Sequence, residues 1–238
     1  MVINYVELNF ESRETWRLAR RIGGSDLATI MGEGKWQTIN DIYTRLIYPD
    51  RAKSKNLDNN ARVQEGVKAE EHIRALFEIE HDYKIINPPK NNWLFVRKDN
   101  DFISVSPDGL SEDYTCGLEI KDVEVYANKD LEKWRNGELP KQYFYQVMQY
   151  FIVINTLTEV YLVARIKVMK GHALDHIEEY EYHFTRKEFK QTIKECYLIE
   201  TAFIDKYVKT HTRPNANYLE EIKKELKLWP KKKINQIY

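Results

Sequence analysis

Asp108 stands in the turn Ser106-Pro107-Asp108-Gly109-Leu110, and Glu119 and Lys121 follow in Gly117-Leu118-Glu119-Ile120-Lys121. The second run reads as a strand. Strand side chains alternate faces, so Glu119 and Lys121 point one way while Leu118 and Ile120 enter a core. Two carboxylates and an ammonium at one strand edge suit a divalent cation and a water made nucleophilic beside it. An isolated Asp…Glu-x-Lys pattern is common by chance, so the rest of the chain must supply further ligands, a phosphate site and a fold.

Two more polar residues fall on otherwise apolar helical stripes. The spacing predicts a helix from Ala61 to Glu80 whose stripe is Val63, Gly66, Val67, Glu70, Ile73, Arg74 and Phe77. Glu65 and Glu71 lie off it. A carboxylate on such a face is costly unless paired; Arg74, one turn on, is one partner and a metal ion is the other. Pro140 opens a second helix, Lys141 to Asn155, striped by Tyr143, Val147, Tyr150, Phe151 and Ile154. Gln146 falls among them, either as a satisfied core amide or as a group that holds a water beside a metal. Gln149 projects to a different face.

An anion site is the remaining requirement. Glu11 to Arg21 reads as a helix bearing Trp16, Arg17, Arg20 and Arg21, stopped by Gly23-Gly24. Ser25-Asp26 reads as the N-cap of a further helix, Leu27 to Met31. Basic side chains, a glycine pair and a new helix start form an anion pocket; the alternative is a helix–turn–helix with solvated arginines. There is no Gly-Lys-Ser/Thr, which excludes a Walker loop.

Other segments place these groups. Thr38 caps a short helix through Tyr48, and Pro49 to Asn60 reads as a mobile polar loop. Strands are expected at Tyr83–Asn87, Trp93–Arg97, Phe102–Val105, Leu118–Val123, Val160–Ile166 and Ile177–Phe184, the last two antiparallel. Leu131 to Glu138 reads as a partly helical excursion. Thr185 caps a long helix, Arg186 to Val208, and an amphipathic helix runs from Asn217 to Leu228.

The chain has 238 residues, 42% hydrophobic and 13% aromatic, enough for one substantial core. One domain, 1–238, is expected, with a core at about 12–210 and a lysine-rich helix and tail at 215–238. Lysine plus arginine and aspartate plus glutamate both number 37, so nucleic-acid contact must rest on local patches or on metals that offset the acids. The lysines at 223, 224, 227, 231, 232 and 233 form the one basic block, either a solvated tail or a DNA or partner contact. No apolar stretch is long enough for a membrane span and no signal layout opens the chain, which points to the cytoplasm. Cys116 and Cys196 give neither a disulfide framework nor a four-thiolate cluster. His172 and His176, four apart as on one helix face, lack a third zinc ligand. With no Gly-x-Ser-x-Gly and no activated cysteine, nucleophilic side-chain catalysis is disfavoured.

At these residues the chain resembles the lambda-exonuclease/YqaJ-like viral recombinase family of the PD-(D/E)xK nuclease superfamily. The resemblance lies in Trp16…Arg20-Arg21-Ile22-Gly23-Gly24-Ser25-Asp26, Gly66-Val67-Lys68-Ala69-Glu70, Ser106 to Leu110, Leu118 to Lys121 and Tyr145-Gln146-Val147-Met148-Gln149-Tyr150, in the family's order over roughly residues 12–165. It implies a mixed α/β (α+β) restriction-endonuclease-like core with a central mixed sheet flanked by helices. It further implies Mg²⁺, with Mn²⁺ able to substitute, held by Asp108, Glu119 and the Ile120 carbonyl, with Glu70 completing a two-metal site. Lys121 would orient or deprotonate the attacking water, and Gln146 would help position it. Ser25 with Arg20, or with neighbouring Arg21, would hold a 5′-terminal phosphate. The implied activity is 5′→3′ digestion of one strand of linear duplex DNA, leaving 3′ overhangs for phage-type recombination. A ring-shaped homotrimer and a single-strand-annealing partner are implied with it. The chain departs from the family at Asp122-Val123, where Cys-Pro or Thr-Pro is frequent; the acid either alters metal affinity or faces solvent. A restriction-type endonuclease and a nuclease-fold protein that binds DNA or a partner without turnover are the alternatives.

Overall fold

The computed structural model describes residues 2–49, 61–86 and 93–228, with residues 61–65 as backbone alone. In chain order the elements are β1 (Tyr5–Asn9), α1 (Arg13–Ala19), α2 (Gly24–Ile30), α3 (Ile39–Ile47), α4 (Ala61–His81), β2 (Ile85–Ile86), β3 (Trp93–Arg97), β4 (Ser104–Val105), β5 (Gly109–Ser111) and β6 (Cys116–Val125). There follow α5 (Asn128–Arg135), α6 (Lys141–Val153), β7 (Glu159–Lys170), β8 (Ala173–Thr185), α7 (Lys190–Phe203), a π-helical turn at Ile204–Val208, and α8 (Tyr218–Glu225).

The central sheet has five strands in the order β2-β5-β6-β7-β8, and a smaller antiparallel sheet has the order β1-β3-β4. In the central sheet β6 and β7 are parallel and the other pairs antiparallel. The parallel pair requires a crossover, and α5 and α6 supply it. The expected mixed sheet flanked by helices is the architecture found.

Alternation along β6 sorts its two faces. Leu118 and Ile120 join Ala69, Ile73 and Phe77 of α4 in one apolar cluster. Gly117 and Glu119 turn toward α6, where a Cβ on Gly117 would stand 3.1 Å from the Tyr150 ring. The missing side chain lets that ring lie close against the sheet. Helix α6 is apolar nearly all round and is buried without interruption from Val147 to Val153, as expected of a helix packed on several sides.

Several boundaries differ from the sequence expectation. Helix α1 ends at Ala19, and Gly23-Gly24 starts the next helix instead of stopping the last one. Gly23 is the N-cap, while Asp26, three residues on, accepts from the Gly23 N–H at 2.7 Å. The reciprocal Thr38–Asp41 cap of α3 is as expected. Helix α7 begins at Lys190, not Arg186, because Thr185 closes only a turn through the Glu188 N–H. Its last turn widens to a π-helix. His172 and His176 lie at the β7–β8 hairpin, so they share no helix face. Strands β1 and β5 are not among the strands expected from the sequence. The expected loop from residue 50 onward, Asn87, and the lysines at 231–233 lie outside the described residues.

Candidate active site

A cleft of about 390 Å³ opens between α1, α2, the start of α4, the β4–β5 turn, β6 and α6. Arg20, Ser25, Glu70, Asp108, Glu119, Lys121 and Gln146 all line it, together with Arg13, Trp16, Trp93, Ser106 and Tyr150. Residues separated by up to 137 positions in the chain are thereby drawn to one cleft. Arg21 is not among the lining residues: its guanidinium lies over the Phe102 ring at 5.8 Å, and its carbonyl accepts from Arg45 at 2.7 Å. Ile120 turns its side chain into the α4 core, leaving its backbone as the group at the site.

Backbone hydrogen bonds hold the Asp108 turn to β6. Asp108 Oδ2 accepts from the Ile120 N–H at 2.8 Å, which fixes one carboxylate oxygen on the strand that carries Glu119 and Lys121. The Asp108 carbonyl accepts from Arg74 Nε and Nη2 at 3.2 and 2.8 Å. Arg74 is therefore committed to the turn, and it reaches Glu70 as a nearby charge. This was not legible in the helical spacing, which pairs Arg74 with Glu70 on α4.

Tyr150 is the residue that sequence reading treated only as packing. Its hydroxyl donates to Glu119 Oε2 at 2.5 Å and receives the Asp108 N–H at 3.0 Å. It sits one helical turn beyond Gln146 and opposite the strand glycine Gly117, a pairing that signals close approach of an aromatic residue to the strand. Lys121 Nζ contacts Glu119 Oε1 and stands 5.4 Å from the centre of the Tyr143 ring. Glu119 thus has one oxygen on a phenol and the other on an ammonium.

The electrostatics follow from crowding acids where water is scarce. Burial, then the Glu119 charge, pushes the Asp108 carboxyl well above the usual range despite Lys121. Burial raises Glu70 as well, against the pull of Arg74 and Lys121. For Lys121, burial alone would lower the ammonium, but Glu119 and Asp108 outweigh it and hold it above the usual lysine range. Gln146 Oε1 is buried with no hydrogen-bond donor in reach among the described residues, a costly state that calls for a ligand.

Among the described residues no three His, Cys, Asp or Glu side chains are gathered closely enough to hold a metal ion by themselves. The donor set is nonetheless suited to a hard divalent cation: Asp108, Glu119 and Glu70 bring oxygens whose mutual repulsion a cation relieves, and Gln146 adds an unpartnered oxygen. Asp122 lies outside the cleft's lining. It faces the α4 side of the sheet, paired with Lys167 at 2.7 Å and Arg165 at 3.9 Å instead of open solvent, and its charge is one of those that raise Glu70.

At the other wall, Asp26 accepts from Gln37 at 2.8 Å and pairs with Arg45 at 2.7 Å, fixing the first turn of α2. A Cβ on Gly24 would stand 3.1 Å from the Gln146 Cα, so the glycine brings Ser25 and Gln146 side by side. Arg20 lies over the Trp16 ring at 5.4 Å, and Trp16 Nε1 reaches Ser106 Oγ at 3.2 Å. Burial draws the Arg20 guanidinium below its usual range, partly offset by Asp26.

A mixed sheet with an aspartate turn, a Glu-x-Lys strand and flanking helices is the PD-(D/E)xK nuclease fold. The chain superposes on the crystal structure of an alkaline exonuclease, LHK-Exo, from Laribacter hongkongensis with a TM-score of 0.57 and 19% identity, covering 91% of this chain and 100% of that one. For LHK-Exo in complex with dAMP the TM-score is 0.55, at 18% identity with coverage of 91% and 100%. At such identity the likeness defines the fold. The YqaJ-like viral recombinase domain matches residues 14–159, a span that contains every candidate residue above, and the chain belongs to that family. A relative, the uncharacterized protein YqaJ of Bacillus subtilis (strain 168), is 26% identical over 148 residues, which are 60% of this chain and 43% of the relative. The match therefore spans less than half of that protein's length.

Proposed function

We propose that the chain is a Mg²⁺-dependent exonuclease that digests the 5′ strand of linear double-stranded DNA and leaves 3′ overhangs for phage-type recombination. The observation that carries this reading is the cleft itself, in which Arg20 and Ser25 share one space with Asp108, Glu119, Lys121 and Gln146. A guanidinium and a hydroxyl bind a terminal phosphate; the opposite wall then meets a phosphodiester further along the same strand. Family membership and the nuclease fold support the same reading.

Glu70, Asp108, Glu119 and the Ile120 carbonyl would hold the metal, as a two-ion site, with Mn²⁺ able to substitute. Bound there, the ions supply Lewis-acid stabilisation of the attacking and leaving oxygens in an in-line displacement. Tyr150 and the Ile120 N–H fix the orientations of Glu119 and Asp108. Lys121, in contact with Glu119 on the same strand face, orients or deprotonates the attacking water. Gln146 Oε1 accepts a hydrogen bond from that water. The family resemblance adds a homotrimeric ring and a single-strand-annealing protein as partner. Among the described residues no helix is long and apolar enough to cross a membrane.

The test is hydrolysis of end-labelled linear duplex in Mg²⁺, comparing 5′-phosphate with 5′-hydroxyl ends. Faster release of mononucleotides from the phosphorylated 5′ strand, with closed circular duplex left intact, is expected. Cutting of the closed circle would move the assignment to a restriction-type endonuclease, and binding without hydrolysis in Mg²⁺ or Mn²⁺ to a DNA-binding protein.

A further inference from the structure

One aromatic group outside the cleft's lining has no part in the chemistry above. Trp36, in the loop between α2 and α3, is 66% exposed. A singly exposed apolar residue is ordinary; the placement of this one is not. Its ring lies 6.1 Å from that of Tyr143 at an angle of 43°, and the same Tyr143 ring carries the Lys121 ammonium at 5.4 Å. The indole is thus one ring away from the lysine at the centre.

The mount is fixed at both ends. Gln37 donates to the buried Asp26 at 2.8 Å, and Thr38 caps α3 through Asp41. On the other side Glu33 is tied to Lys141, at the start of α6, at 2.5 Å. The loop therefore holds an exposed indole on a backbone braced by these contacts, which lowers the ordering cost of binding. Charge around it is mixed: Lys141 is paired with Glu33, and Lys35 acts on Asp130. That balance favours a ligand held by its π face over one held by its phosphates.

We infer that Trp36, backed by Tyr143, is a stacking platform for an unpaired DNA base close to the phosphate under attack. The position rests on the nuclease reading, because the Tyr143–Lys121 contact is what places the platform beside the reaction. An unpaired base is the fitting ligand: bases within a duplex already have both faces covered, whereas a separated strand offers them. Stacking also accepts any base, as a sequence-indifferent nuclease requires.

The test uses the full chain in EDTA, where nothing is cleaved, with a fluorescently labelled single-stranded oligodeoxynucleotide of mixed sequence. Trp36→Ala is expected to weaken binding by roughly tenfold, within the range for loss of one base stack, and Trp36→Phe by no more than about threefold. The slope of affinity against salt should not change, because no phosphate contact is removed. A baseless deoxyribose-phosphate strand of equal length should bind the parent and Trp36→Ala alike. Equal affinities of parent and Trp36→Ala for the normal strand, an equal loss on the baseless strand, or no binding by the parent would each overturn the platform. A parallel Mg²⁺ assay on duplex ends separates the two readings. Turnover with Trp36-independent binding removes the platform alone, and Trp36-dependent binding without turnover removes the nuclease alone.

Discussion

The Tyr150 hydroxyl donates to Glu119 at 2.5 Å and accepts from the Asp108 backbone N–H at 3.0 Å, so one α6 side chain joins the strand carboxylate to the aspartate turn. Tyr150→Phe keeps the ring that packs on Gly117 and removes this link, together with the hydroxyl's contact with the Leu118 carbonyl at 3.2 Å. A hydrogen bond to a charged group is worth about 1.5–3 kcal/mol. We expect a folded variant with lower thermal stability and hydrolysis of duplex ends reduced roughly tenfold or more. Unchanged rates would show that Glu119 and Asp108 need no such support.

Lys121→Ala and Glu119→Ala remove opposite halves of one contact. Each should abolish hydrolysis while circular dichroism stays that of the parent. Near-parental nuclease activity in either variant would sink the assigned centre.

The arginines can be told apart. Arg20 lines the cleft and Arg21 lies over Phe102. Arg20→Ala and Ser25→Ala should each diminish the preference for 5′-phosphorylated over 5′-hydroxyl ends, whereas Arg21→Ala should keep it. The reverse pattern, read from initial rates on the two substrates, would reassign the phosphate site.

Gly24→Ala places a methyl group 3.1 Å from the Gln146 Cα. Overpacking of this kind costs about 1–3 kcal/mol, offset in part by the helix preference of alanine over glycine. A small fall in melting temperature should accompany a larger fall in turnover, because the displaced groups are Ser25 and Gln146. Equal proportional losses would mean that the two helices move without disturbing the cleft.

Glu200 provides a pH test away from the site. Gln149 Nε2 donates to Glu200 Oε1 at 3.0 Å, while Glu200 Oε2 and Gln149 Oε1 lack partners as long as Glu200 is ionised. A proton on the carboxyl removes the buried charge, which burial disfavours. Burial pushes Glu200 from the ordinary 4.5 up to about 8, so the folded state retains the proton longer than the unfolded chain. Its contribution to stability is fully present below pH 4.5 and is lost as the pH rises through about 8. Glu200→Gln cannot ionise, so its stability relative to the parent should rise between pH 6 and 9 by on the order of 2 kcal/mol. Denaturant unfolding at the two pH values measures this, and a constant difference would refute the buried proton.

Short-range pattern carried much of this protein. The alternation of Leu118, Glu119, Ile120 and Lys121 settles which side chains leave the core, since a strand has only two faces. The stripes around Glu70 and Gln146 turn those residues inward because a helix repeats every three to four positions. Thr38 and Asp41 define a helix start through contacts three residues apart. Each of these rests on neighbours in the chain, which the sequence displays directly.

Contacts across the chain were decided by packing alone. Arg74 serves the Asp108 carbonyl instead of Glu70, Arg20 enters the cleft while Arg21 leaves it, and Asp122 is clamped by Lys167. Tyr150 reaches Glu119 because Gly117, on another element, leaves room for its ring. Asp108, Glu119 and Lys121 were legible in the sequence as a set of residue types at suitable spacing. Their company of Tyr150, Ser25 and Gln146 was set by the meeting of α2, α6 and β6, a matter of shape between distant segments that no local pattern records.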